Sequence, residues 1–257
     1  MNLIILFQND FIQKNYARIN DRRSDHILNI HRANIGDQLS VGILNGMIGT
    51  AILRKINGAE IELELELGLG LELETDVDVT SKVNTTSPYT KQSPAPLPLT
   101  LIIALPRPKM IKRILQTCAT MGVKDIIFLN SYRVEKSYWQ TPLLQEDKIQ
   151  EQLLLGLEQG KDTLLPKVTL EKRFKPFVED RLPALCKTSI GLIAHPHSKL
   201  PCPTHVTQHT TLVIGPEGGF IPYEVDKIQA AGCQGITLGQ RILRVETAIP
   251  VLLGKLF

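Results

Sequence analysis

The chain has 257 residues, 43% of them hydrophobic, enough for one large or two modest domains with a real core. It contains no run of 18 or more apolar residues, which argues against a transmembrane helix. The net charge of +3 hides a contrast, because residues 59–80 carry eight acids and no base, leaving 29 basic against 18 acidic side chains elsewhere. A basic body of that kind suits a polyanionic partner as well as an ordinary solvated surface.

In chain order, "MNLIILFQNDF" reads as a first strand and not as a signal peptide. Ser24 to Asp37 reads as a short helix, with Ser24 as its cap and Gly36 beyond its end. Asp37 to Leu53 reads as a hairpin turning at Asn45-Gly46, a pair that tolerates positive φ. Residues 1–58 therefore predict a small β-barrel with one helix. Residues 59–80 alternate acid and aliphatic with period two, the pattern of a strand with one charged face. We expect a solvated edge hairpin there, bent at Gly68 and Gly70 and set away from any binding face. Residues 81–98, rich in Ser, Thr and Pro, predict a linker, with a domain boundary near residue 96.

The rhythm then changes. Leu99 to Pro106 is a continuous apolar run, as in a buried parallel strand. Pro108 to Val123 has Pro at its start, an apolar stripe (Ile111, Ile114, Leu115, Cys118) and Gly122 at its end, which predicts a helix. Strand patterns follow in "KDIIFLN", "SIGLIAHP", "TTLVIGPEGG" and "CQGITLG". Helix patterns occur in "QEDKIQEQLLLGLEQG", "PYEVDKIQAAG" and "RVETAIPVLLGKLF", where Pro250 predicts either a cost of about 3 kcal/mol or a kink. The alternation predicts an α/β domain with a parallel sheet. The four cysteines (Cys118, Cys186, Cys202, Cys233) form no CxxC pair, so we expect reduced thiols in a cytoplasmic protein and no metal.

Three strand ends carry unusual residues: "IAHPHS", "GPEGGF" and "LGQRILRVETA". Ligands of open α/β sheets bind at the carboxyl ends of strands, so these loops should make one pocket. The glycine loop has Glu217 where a phosphate loop would place a cation, which favours a cationic or neutral ligand. A tight turn with a helix cap is the plainer alternative. Glu246 falls in a first helical turn, where a carboxylate suits the macrodipole. Arg244 could pair with Glu217 or Glu246, or touch a phosphate.

Together, "GPEGGF" and "LGQRILRVETA" resemble the C-terminal signature of the RsmE family of 16S ribosomal RNA methyltransferases, in the SPOUT (α/β-knot) superfamily. "HILNIHRANIGDQLSVGILNG", with His26 and Arg32, is similar to the family's N-terminal PUA-like stretch, and Glu158-Gln159 matches a family pair. The resemblance covers most of the chain apart from residues 59–96. It implies S-adenosylmethionine (SAM) as cofactor and N3 of a uridine in small-subunit rRNA as methyl acceptor. It also implies a deep trefoil knot and a homodimer. The implied domains are a PUA-like β-barrel over 1–95, holding the acidic insertion 59–80 and the linker 81–96, and a SPOUT domain over 96–257. Carried over by position, the SAM contacts would be Ala194, His195, Gly215, Glu217, Gly218, Leu238, Gly239, Ile242 and Leu243. We expect Arg244 to stabilise the uridine anion, with Glu246 or Glu217 orienting it. Arg22, Arg23, Arg32, Arg54 and Lys55 are the candidate RNA contacts. The chain departs from the family pattern at Met121, at Lys161 and Asp162, and in lacking an arginine near its start. Methylation of another RNA nucleoside, or SAM and RNA binding without activity, are the alternatives.

Overall fold

Period-two alternation builds the first sheet. Its strands are β1 (Ile4–Leu6), β2 (Phe11–Gln13), β3 (Tyr16–Ile19), β4 (Gln38–Ile43), β5 (Ile48–Asn57) and β6 (Glu60–Leu65), in the order β1-β4-β5-β6-β3-β2. All neighbours pair antiparallel except β1 with β4. The structure is a computed structural model that describes residues 2–66 and 91–257. The chain divides into two units, Met1–Pro94 with Leu157–Leu164, and Ala95–Gly156 with Leu165–Phe257.

In the first unit, the inward faces of the strands form a core that includes Ile4, Leu6, Ile19, Val41, Leu53, Ile61 and Leu63. The sheet is a half-barrel among the described residues, where a small closed barrel was expected: its order leaves β1 and β2 at opposite ends. The acidic strand also departs from expectation. β6 is not an edge, since it lies between β5 and β3, with Ile61, Leu63 and Leu65 buried. Its acids are matched across the sheet by base: Arg18 donates to Glu62 at 3.0 Å and Arg54 pairs with Glu64. Cross-strand pairs of opposite charge let an acidic face occupy an interior position. The expected bend at Gly68 and Gly70, and most of the linker, lie outside the described residues. Lys91 exchanges backbone hydrogen bonds with Ile48.

The hairpin joins β4 to β5, but only Asn45 takes a positive φ (60°), and four residues separate the strands. The helix α1 (Arg22–Asp25) is capped by Asp21 and not by Ser24: Asp21 accepts from the Arg23 amide at 2.8 Å, and the Ser24 hydroxyl oxygen accepts from the Asp21 amide. A wide turn over His26–His31 follows and ends at Arg32, which adopts a left-handed φ of 53°.

The second unit alternates strand and helix. Its elements are β7 (Leu99–Ala104), α2 (Pro108–Thr120), β8 (Asp125–Leu129), α3 (Glu146–Gly160), β9 (Lys167–Glu171), α4 (Phe174–Pro176), α5 (Leu182–Lys187), β10 (Ile190–Ala194), β11 (Leu200–Pro201), β12 (Thr210–Ile214), α6 (Pro222–Ala230), β13 (Gln234–Thr237) and α7 (Val245–Leu256). The sheet order is β11-β13-β10-β12-β7-β8-β9, and every pairing is parallel. β7 and β12 are buried along their whole length, as a sheet covered on both faces requires. Helix α2 opens on Pro108, whose missing N–H costs nothing at a first position, and buries the expected stripe of Ile111, Ile114, Leu115 and Cys118. It stops before Gly122 (φ 83°). Helix α3 approaches α2 closely at Gly156, where a Cβ would lie 2.4 Å from the Gln116 carbonyl oxygen. Helix α7 runs unbroken through Pro250.

Two of the sequence departures have local roles. Met121 ends α2, and buried Asp162 accepts from the Leu164 amide at 2.9 Å.

Candidate functional site

The carboxyl ends of β10, β12 and β13 open into one cleft. Its cavity volume is about 110 Å³. Ala194 and His195 contribute from β10, Gly215 and Glu217 from β12, and Leu238, Gly239, Ile242 and Leu243 from the loop after β13. Eight of the nine residues proposed from sequence for the cofactor thus line a single cleft, and Gly218 lines the adjoining cavity with Arg133 and His197. The cleft floor is apolar: Ile214, Phe220, Ile236, Val245 and Leu252 face it; among the described residues no lysine lines it, and Arg241 does.

The glycine loop combines a turn with a cap. Gly219, at φ 71°, donates to the Pro216 carbonyl at 2.7 Å. Phe220 packs under Gly215 so closely that a Cβ there would meet its ring at 3.1 Å. The cap of α6 is Glu224, whose carboxylate accepts from the Ile221 amide at 3.1 Å and from the Tyr132 amide at 2.7 Å. Glu217 is therefore not spent on capping.

Instead, Glu217 meets Arg107. Its carboxylate accepts from the Arg107 backbone N–H at 3.2 Å and lies 4.0 Å from the Arg107 Nε. The pairing of Glu217 with Arg244 considered from sequence is thus replaced by one with Arg107. A second unforeseen arginine, Arg133, donates from Nη1 to the Gly218 carbonyl oxygen. Both arginines follow carboxyl ends of parallel strands, β7 and β8. The rule that marked the other three loops would have marked these as well.

On the other side of the cleft, Gly239 takes a φ of 115°, open only to glycine, and its amide donates to the Thr237 hydroxyl at 3.2 Å. Among the described residues, the amides of Gln240 to Leu243 donate to no backbone acceptor. They remain available to a ligand edge, and Ile242 stands 76% exposed at the mouth. His195 is half-buried, its backbone N–H bonded to the Ile236 carbonyl and its ring 5.4 Å from that of His197. Burial, and then the neighbouring His197, push its pKa below the ordinary value.

Arg244 is the cap residue of α7 and is exposed, with its carbonyl accepting from the amides of Thr247 and Ala248. Glu246 lies in the first turn. Neither lines the cleft, although Val245 between them does, and no ion pair joins them among the described residues.

The basic residues proposed for RNA have different fates. Arg23 must be corrected: it is 3% exposed and donates to Asp10, Asp21 and the Ile5 carbonyl, with its guanidinium over the Phe7 ring. No N–H is left for a phosphate, so Arg23 is a structural cation. Arg22 holds buried Glu158 through two bonds of 2.8 and 2.9 Å. Arg32, Arg54 and Lys55 are exposed, with Arg54 bound to Glu64 and Lys55 3.9 Å from Glu62.

An RNA methyltransferase domain model matches residues 93–256. The chain belongs to this family. Among curated relatives, it is 29% identical to ribosomal RNA small subunit methyltransferase E 1 of Borreliella burgdorferi, over 57% of this chain and 61% of that protein. It is 32% identical to ribosomal RNA small subunit methyltransferase E of Mesomycoplasma hyopneumoniae, over 60% of this chain and 66% of that one. The chain thus spans less than two thirds of the length of these relatives. The fold is that of ribosomal RNA small subunit methyltransferase E from Neisseria gonorrhoeae, solved with S-adenosyl methionine, at TM-score 0.71 and 22% identity over 98% of this chain and 95% of that one. A probable rRNA-methyltransferase from Porphyromonas gingivalis has the same fold, at TM-score 0.66 and 20% identity over 97% and 95%. The family resemblance read from the signature is borne out. The cleft, with its three loops, lies wholly inside the matched methyltransferase domain.

Proposed function

We propose that this chain transfers a methyl group from S-adenosylmethionine to N3 of a uridine in small-subunit (16S) ribosomal RNA. On this reading the C-terminal unit is a SPOUT trefoil-knot domain and the N-terminal unit a PUA-like RNA-binding module. The enzyme would act in the cytoplasm as a homodimer. One observation supports it above the rest: a cleft at three parallel strand ends, apolar on its floor, with Glu217 from the glycine loop and Arg241 from the loop after β13 in its lining. An adenosyl group suits the floor, and a sulfonium suits the acid, whereas a phosphate would face Glu217.

Ala194, His195, Gly215, Glu217, Leu238, Gly239, Ile242 and Leu243 would hold the donor, and Gly218 would shape the loop that closes on it. Bound there, the donor supplies an electrophilic methyl on a positively charged sulfur. The chain must orient the acceptor and favour loss of the uridine N3 proton. Exposed Arg244, free of ion pairs among the described residues, stabilises the uridine anion in this scheme. Glu246 lies two residues on. Arg107 and Arg133 keep the glycine loop in place, and Arg32, Arg54 and Lys55 offer charge to RNA phosphate.

Calorimetry with S-adenosylmethionine and its spent homocysteine form tests the donor site. Tritiated methyl transfer into small subunits from a strain lacking this modification tests the reaction, and mass spectrometry of the product tests the nucleoside. Absence of a binding heat overturns the whole reading. A methyl mapped to another nucleoside overturns only the acceptor.

A further inference from the structure

Cys186 and Cys233 place their sulfurs 3.6 Å apart, although they stand 47 residues apart in sequence. Cys186 sits in the last turn of α5, and Cys233 immediately precedes β13. Two glycines make the approach possible. A Cβ on Gly232 would lie 3.0 Å from the Cys186 Cβ, and one on Gly191 would lie 2.8 Å from its sulfur. Cys186 is half-exposed, whereas Cys233 is 3% exposed behind it. The other two cysteines are buried away from this pair.

The two thiols differ in character as well as exposure. Hydrogen bonding from Cys233 lowers the pKa of Cys186, while the same bond, with burial, raises that of Cys233. The less buried sulfur is therefore the more acidic of the two. Burial pushes the Cys118 thiol up to about 12, which leaves it inert. An accessible thiolate with a resolving thiol behind it is the arrangement that oxidation converts to a disulfide.

We propose that Cys186 and Cys233 form a dithiol modification site that small disulfides oxidise reversibly in the folded protein. With glutathione disulfide, the Cys186 thiolate attacks one sulfur, the glutathione S–S bond breaks, and one glutathione leaves and takes up a proton. The Cys233 thiol then gives its proton to solvent and attacks the Cys186 sulfur, releasing the second glutathione, which is protonated in turn. Two protein thiols are oxidised, one glutathione disulfide is reduced to two glutathiones, and the sulfurs close from 3.6 Å to about 2.0 Å.

The test uses the full native chain in a glutathione disulfide buffer, quenched with acid, alkylated, digested and mapped by mass. The expected product is one cross-linked peptide pair joining Cys186 to Cys233, two hydrogens lighter and restored by dithiothreitol. Cys118 and Cys202 should be alkylated only after unfolding. Cys233→Ser should stop at a mixed disulfide on Cys186, and Cys186→Ser should leave Cys233 unmodified. Wild-type protein that stops at the mixed disulfide, stays fully reduced, or cross-links only after denaturation overturns the proposal. The wild-type map decides even if either variant fails to fold.

Discussion

The two sheets use charge in opposite ways. In the first unit charge holds the fold together: Arg23 is buried between Asp10 and Asp21, Arg22 grips Glu158, and the acids of β6 pair with Arg18 and Arg54. In the second unit the central strands β7 and β12 carry no charge, and at the carboxyl ends of the sheet Glu217 and Arg241 line the cleft, with Arg107 and Arg133 bonded to the glycine loop. An antiparallel sheet with one wet face can balance charge along its strands, whereas a parallel sheet covered on both faces has only its ends for polar work. The same residue type is thus buried and fully bonded at Arg23 in the first unit and set at the cleft lining at Arg241 in the second.

The sharpest way to break the contrast is Arg23→Ala. It leaves two carboxylates beside a buried hole and should cost about 3–5 kcal/mol of stability in urea unfolding. A variant as stable as the parent would refute the structural assignment of Arg23. Gly239→Ala should act in the other unit, forcing a φ of 115° on a side chain and costing about 1–3 kcal/mol locally. We expect that cost as weakened S-adenosylmethionine binding by calorimetry, with little change in melting. Equal loss in both measurements would place the loop in the folding core.

Acid provides a third, milder probe. Burial alone would raise the Asp21 carboxyl, but its bonds to Arg23 outweigh that and hold it below its ordinary value of 3.8. A folded-state pKa below the unfolded one stabilises the fold above pH 3.8, and that contribution is lost as pH falls through the folded value. Chemical denaturation at stepped pH should show this loss in the wild type and a flatter profile in Arg23→Ala. The smallest effect belongs to Arg54→Ala. Its pair with Glu64 is exposed, so the urea midpoint should barely move, and less still in high salt.

Much of the site was legible because strand-end loops are contiguous in sequence. "GPEGGF" and "LGQRIL" each carry their own glycines and neighbours, so eight cofactor candidates converge on one cleft. The strand-end rule marks the loops of Arg107 and Arg133 too, but nothing local says which partner either arginine meets. Only the parallel order, with β7 beside β12 and β8 next beyond it, brings them to the glycine loop. Arg23 was misread for the same reason: "DRRSD" resembles a solvated basic patch, and its burial depends on Asp10 and Ile5 from elsewhere in the chain.

By itself, the sequence determined the kinds of element and their periods, since apolar spacing and turn residues act over a few positions. It also determined the composition of the loops that would meet a ligand. Tertiary structure alone decided the neighbours: that the acidic strand lies inside a sheet, that Leu157–Leu164 joins the first unit, and that Cys186 touches Cys233. These depend on which distant segments share a surface, and an exposed charge and a buried, paired one are written with the same letter.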